Sequence, residues 1–77
     1  MTTPSFRFYE KVRINSGNGR LSEINGELGA ILGRAQSEEG RWSYAVHVYR
    51  DGVCWSCDEA DLVATGECDV RATFYSV

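Results

Sequence analysis

Three cysteines and a single histidine are the residues of this chain with the most chemistry open to them. Cys54-Trp-Ser-Cys57 has the C-x₂-C spacing of a zinc knuckle, and His47 with Cys68 could complete a Cys₃His donor set. Two local features oppose that use. The stretch lacks the glycine that normally turns a knuckle's amides toward sulfur, and bulky Trp55 stands in its place. In an extended strand, residues three apart point to opposite faces, so both thiols converge only if the chain turns between them. Free thiols buried as small hydrophobes are the commoner state, so reduced cysteines and no metal are expected. A thioredoxin-like role has less support still, since Cys54 follows Gly52-Val53 and opens no helix.

Other chemistry finds little material. Ser43 is the candidate nucleophile nearest His47 in sequence, on the same strand face but about 13 Å away at the strand rise. No direct nucleophile–base hydrogen bond spans that distance. Asp58, Glu59 and Asp61 could pair their carboxylates, yet nothing beside them points to a cofactor or a deep pocket. Ser16-Gly-Asn-Gly-Arg20 is glycine-rich but lacks the Lys-Ser/Thr of a phosphate loop, and no helical pattern follows it. A domain of this size also has little volume for an enzymatic pocket. A non-enzyme without cofactors is expected.

The elements that must carry these side chains are strands. Over residues 41–49, Trp42, Tyr44, Val46 and Val48 alternate with Ser43, Ala45, His47 and Tyr49, the period-two signature of a strand with one buried face. A polar link, Gln36-Ser-Glu-Glu-Gly40, joins it to the apolar run at 29–35 and reads as a hairpin. Residues 8–14 alternate around Phe8, Val12 and Ile14, and 20–24 are short and ambiguous before the Asn25-Gly26 turn. Asp51-Gly52 turns the chain into 53–56, and 57–62 predicts a single 3₁₀ turn. Residues 62–64 and 70–75 supply closing strands on either side of Thr65-Gly66. Gly29, Ile31 and Gly33 fall on one face of their strand, where glycine marks a bulge, a bend or a close backbone approach. With no helix able to cover a flat sheet, the pattern predicts an all-β, SH3-like, partly open antiparallel barrel of five to six strands.

Length and composition fit one domain over 1–77, with its ordered core at about 6–75. No apolar stretch is long enough to span a bilayer. The first ten residues show no basic head before an apolar block, so no signal peptide is expected and the cytoplasm is the predicted location. The net charge of −3 is uneven: seven bases face five acids up to Arg50, and six acids face one base after it. Arg7, Lys11, Arg13 and Arg20 lie near Phe6, Phe8 and Tyr9, which locally suits nucleic acid. The acidic second half and the sequence pI near 5.0 oppose it.

Several segments resemble a known family. Phe8-Tyr-Glu-Lys-Val-Arg-Ile14, Asn25-Gly-Glu-Leu-Gly-Ala-Ile-Leu-Gly33, Tyr44-Ala-Val46, Trp55, Glu59-Ala-Asp-Leu62, Thr65-Gly66 and Phe74-Tyr75 occur in an order and spacing similar to small bacterial immunity proteins found beside polymorphic toxins. The resemblance covers about residues 8–75 and implies a binding protein that holds a cognate toxin inactive. The 29–33 strand is also similar to the glycine-marked strand of KOW-type modules, which leaves a nucleic-acid, ribosome or transcription role as the alternative. For a protein partner, Trp42 and Tyr49 are the expected aromatic anchors, with Trp55 an alternative core residue. Asp58, Glu59 and Asp61 would steer a basic toxin domain toward a chain that is a monomer when free.

Overall fold

The strict alternation over 41–49 becomes a central strand of a five-stranded antiparallel sheet in the computed structural model, which describes residues 4–70, 73 and 74. The strands are β1 (Glu10–Ile14), β2 (Leu28–Gln36), β3 (Trp42–Val48), β4 (Cys54–Asp58) and β5 (Leu62–Cys68). Their spatial order is β4-β3-β2-β1-β5, so the sheet is all antiparallel, unclosed, and edged by β4 and β5. Two 3₁₀ segments, η1 (Gly19–Ile24) and η2 (Glu59–Asp61), complete it, and the described residues form no α-helix. The all-β expectation holds.

One face of the sheet is the core. Val12, Ile14, Ile31, Tyr44, Val46, Val48, Cys57 and Leu62 are buried on it. Each such large side chain contributes roughly 1.5–3 kcal/mol of transfer free energy. The cover comes from segments that period-two patterning does not reveal. Residues 20–24, ambiguous in sequence, form η1 and place Leu21 and Ile24 in the core. Their i, i+3 spacing eclipses side chains on one face of a 3₁₀ helix. The Asn18 side chain starts this helix by accepting from the Arg20 N–H at 3.0 Å. Phe6 adds the second cover, edge-on to Tyr44 at 5.3 Å between ring centroids.

Glycine has two separate uses in β2. A Cβ on Gly29 would lie 2.6 Å from Val46 Cγ1 and 2.7 Å from the His47 carbonyl oxygen, so only glycine lets β3 approach there. Gly33 differs: the register with β3 shifts between Ile31 and Gly33, and the extra residue, Leu32, turns Gly33 to the opposite face, beside Ala45. The three residues expected on one face are therefore split by a bulge.

The C-terminal part also departs from expectation. β5 runs through Thr65-Gly66 without a break, and the turn chemistry is absorbed as a bulge, with Gly66 at φ 84° and a register shift against β1. The second closing strand is not seen at its start: Val70 is irregular, and Thr73-Phe74 lie in a turn closed by a bond from Thr73 N–H to Val70 O at 3.0 Å. Residues 71, 72 and 75 of that expected strand lie outside the described residues.

Candidate partner-binding surface

Tyr49 follows β3 on the face away from the core, its N–H bonded to Leu28 O at 3.2 Å. Its ring is clamped from several sides. The phenol donates to Asp69 Oδ2 at 2.6 Å, and Lys11 Nζ lies 5.8 Å from the ring centroid. Phe74 stands 6.2 Å from the Tyr49 ring, 4.9 Å from His47 and 6.1 Å from Tyr9, with which it stacks. Ala30, an outer-face residue opposite Lys11 and His47, has no solvent exposure. Asp69 ties the assembly together. Its Oδ1 accepts from Val70 N–H at 2.9 Å and Thr73 Oγ1–H at 2.7 Å, while Oδ2 holds Tyr49. The bonds from Thr73 and Tyr49 draw the Asp69 carboxyl down to about 2. Burial first, and then the same bond, push the Tyr49 phenol well above its ordinary value.

Tyr9 enters this cluster through its backbone. It has φ 69°, in the left-handed region that a non-glycine residue adopts at a cost of about 1–2 kcal/mol. Two short bonds hold it there: Tyr9 N–H to Ile31 O and Asp69 N–H to Tyr9 O, both 2.6 Å. Alternation alone does not announce this kink, nor the contacts that Asp69 and Phe74 make with Tyr49.

The three expected acids lie around η2 and are engaged internally to different degrees. Glu59 Oε2 accepts from Tyr44 Oη–H at 2.6 Å and from Ser5 N–H at 3.1 Å, and the Tyr44 bond is the main cause lowering its pKa. Asp61 accepts from Ser16 Oγ–H at 2.6 Å and from the Asp58 N–H at 3.2 Å. Asp58 is exposed on β4. Trp42 and Trp55 both turn to the core side and pack, half-buried, against its margin. Their buried indole N–H groups have no partner. Beside Trp42, the Arg34 guanidinium lies 5.9 Å from its ring and 4.7 Å from that of exposed Phe8.

The cysteine–histidine set does not assemble. Cys57 is in the core, where burial pushes its thiol up to about 11, while Cys54 faces out beside His47. Cys68 is exposed on β5, the opposite edge of the sheet. Among the described residues no three His, Cys, Asp or Glu side chains are grouped to hold a metal.

Both sheet edges carry features that oppose strand addition. On β4, Arg20 Nη2 donates to Ser56 O at 2.9 Å and Asp61 takes the Asp58 N–H, so side chains occupy outward backbone groups. On β5, the bulge at Gly66 bends the strand and places charged Glu67 on it. The outer face is different. Small residues Gly33, Ala35, Ser43, Ala45 and Ser56 floor a shallow open depression of about 350 Å³ across β2, β3 and β4.

A covered core, defended edges and an accessible outer face define a small antiparallel β-sheet protein. The chain matches the family model described as Immunity protein 31 over residues 4–75, and it belongs to that family. No curated protein and no solved structure matches it. No helix among the described residues is long and apolar enough to cross a membrane.

Proposed function

We propose that this chain protects its producer by binding one cognate bacterial toxin and holding it inactive in a stoichiometric complex. The observation that carries this reading is membership of an immunity-protein family across residues 4–75. On this reading the protein works in the cytoplasm, as a monomer before it binds, and without catalysis. Tyr49 serves as an anchor, because a ring clamped before contact loses little freedom on binding. Asp58, Glu59 and Asp61 form a local acidic group that steers a toxin domain that is basic overall. Trp42 contributes at the mouth of the core beside Arg34 and Phe8.

Co-expression of this chain with the toxin domain encoded beside it, in a susceptible host, tests the reading. Survival with the chain present and death without it is the expected outcome. Death in both cases, with the purified chain binding RNA or DNA along a steep salt slope, would establish the nucleic-acid role instead.

A further inference from the structure

We infer that the toxin is received on the outer face of the sheet by a row of four side chains, Val63, Arg13, Leu28 and Tyr49, and that the patch it presents is a carboxylate set between apolar side chains. This rests on the toxin-binding reading above. The row follows from register. Arg13 is directly opposite Val63 on one side and Leu28 on the other, and Leu28 O accepts the Tyr49 N–H. Directly opposed residues share a face with their Cβ atoms about 5 Å apart, so the four form one strip across β5, β1, β2 and the end of β3. That strip lies opposite Val12, Ile14 and Leu62, which are in the core.

Exposure and charge single it out. Val63 is 48% exposed, Leu28 37% and Tyr49 37%, with Leu28 beside Tyr49 and Val63 across Arg13 from them. Leu28 and Tyr49 form an adjoining exposed apolar pair, and adjoining exposure points to an interaction site where scattered exposed hydrophobics do not. Between them the Arg13 guanidinium donates to Gly26 O at 2.8 Å, and none of the ion pairs among the described residues involves it. Tyr and Arg are among the residues enriched at interface hot spots. An unpaired guanidinium there is complemented by a carboxylate, in forked geometry where it can be reached. The sheet edges cannot substitute for this face, since side-chain bonds occupy β4 and a bulge bends β5. The basic character of the toxin as a whole governs its approach; the chemistry at this strip is local.

Asp69 is a positioning residue here, acting through Tyr49. The test measures the dissociation constant of the toxin domain encoded beside this chain for Leu28→Asp, Val63→Asp, Arg13→Glu, Asp69→Asn and, as a control on the β2–β3 hairpin, Glu38→Lys. Leu28→Asp, Val63→Asp and Arg13→Glu are each expected to weaken binding about tenfold or more, chiefly by faster dissociation. Asp69→Asn is expected to lose less, and Glu38→Lys to stay within about twofold. Urea midpoints show whether each variant folds. Should Arg13→Glu unfold through loss of its bond to Gly26 O, the two exposed aliphatic positions decide the matter. Wild-type binding that survives all outer-face changes but is lost in Phe8→Ala or Arg34→Ala would overturn this face while leaving toxin protection standing. A wild-type protein that neither binds nor protects would overturn the toxin reading itself. If wild type sediments as a dimer that Leu28→Asp dissociates without changing toxin affinity, the strip is a self-association surface and the inference fails.

Discussion

Tyr44 is the aromatic residue on which the core closes, and its hydroxyl gives that closure a pH dependence. Burial, then the bond to Glu59, pushes the Tyr44 phenol up to about 12, and the same bond is the main cause holding Glu59 low. A carboxyl lowered by folding stabilises the protein above its unfolded value near 4.5, and that contribution fades as pH falls through the folded value. A phenol raised by folding stabilises fully below 10.0, and the contribution is lost as pH climbs toward about 12. Tyr44→Phe should therefore cost about 1 kcal/mol on a plateau between those limits. The gap to wild type should narrow on both the acid and the alkaline side. Urea midpoints measured across pH check this; a pH-independent gap would count against the bond. Cys57 offers a second residue-scale check. With two cysteines exposed and one buried, native protein should titrate two thiols quickly with Ellman's reagent and release the third only on unfolding.

At the scale of elements, β2 carries the sharpest packing prediction. Gly29→Ala drives a methyl into the β3 backbone and Val46, and should destabilise by about 1–3 kcal/mol. Gly33→Ala meets only Ala45 Cβ at 3.5 Å, an ordinary contact, and should stay within about 0.5 kcal/mol by the same urea measurement. This contrast also shows how far the sequence could be read. The alternation of 42–48, the hairpin through Gly40 and the 3₁₀ turn near 59–61 were legible, because each obeys a local rule. The bulge at Leu32 was not. It reverses the faces of Gly33 and the later residues of β2, and nothing in a run of small and apolar residues fixes which residue is extra. η1 was missed because two apolar residues three apart fit a poor strand as readily as one 3₁₀ turn. At the surface, Tyr49 could be found as an outward aromatic. Asp69 and Phe74 could not, since their meeting with it depends on where the chain crosses after β5.

For the whole molecule, the Cα radius of gyration is 12.0 Å, close to the roughly 11.5 Å of a compact 77-residue chain, and the defended edges bear on self-association. The protein should sediment as a monomer at micromolar concentration. Removing the β4 safeguard with Arg20→Ala should increase self-association, because the Ser56 carbonyl becomes free to pair. Sedimentation velocity of both proteins over a concentration series measures this. A variant as monomeric as wild type would show that Arg20 does not guard the edge. Charge acts at the same scale: with a net charge of −3, association with the basic toxin proposed above should slow as salt rises while dissociation changes little.

The position of β1 between β2 and β5 sets the timetable of folding. Strands β1 to β4 form a continuous meander whose neighbours follow one another along the chain, but the last ladder joins Ile14 to Leu62 and Glu10 to Cys68. Pairing at that sequence separation is slow relative to local hairpins. During synthesis, the hydrogen-bonding edge of β1 must wait until β5 has left the ribosome. A stalled or truncated chain ending before Leu62 therefore exposes the inner strand Glu10–Ile14 as a bare edge, with Val12 and Ile14 uncovered beside it. The nascent chain covers that edge only when β5 arrives.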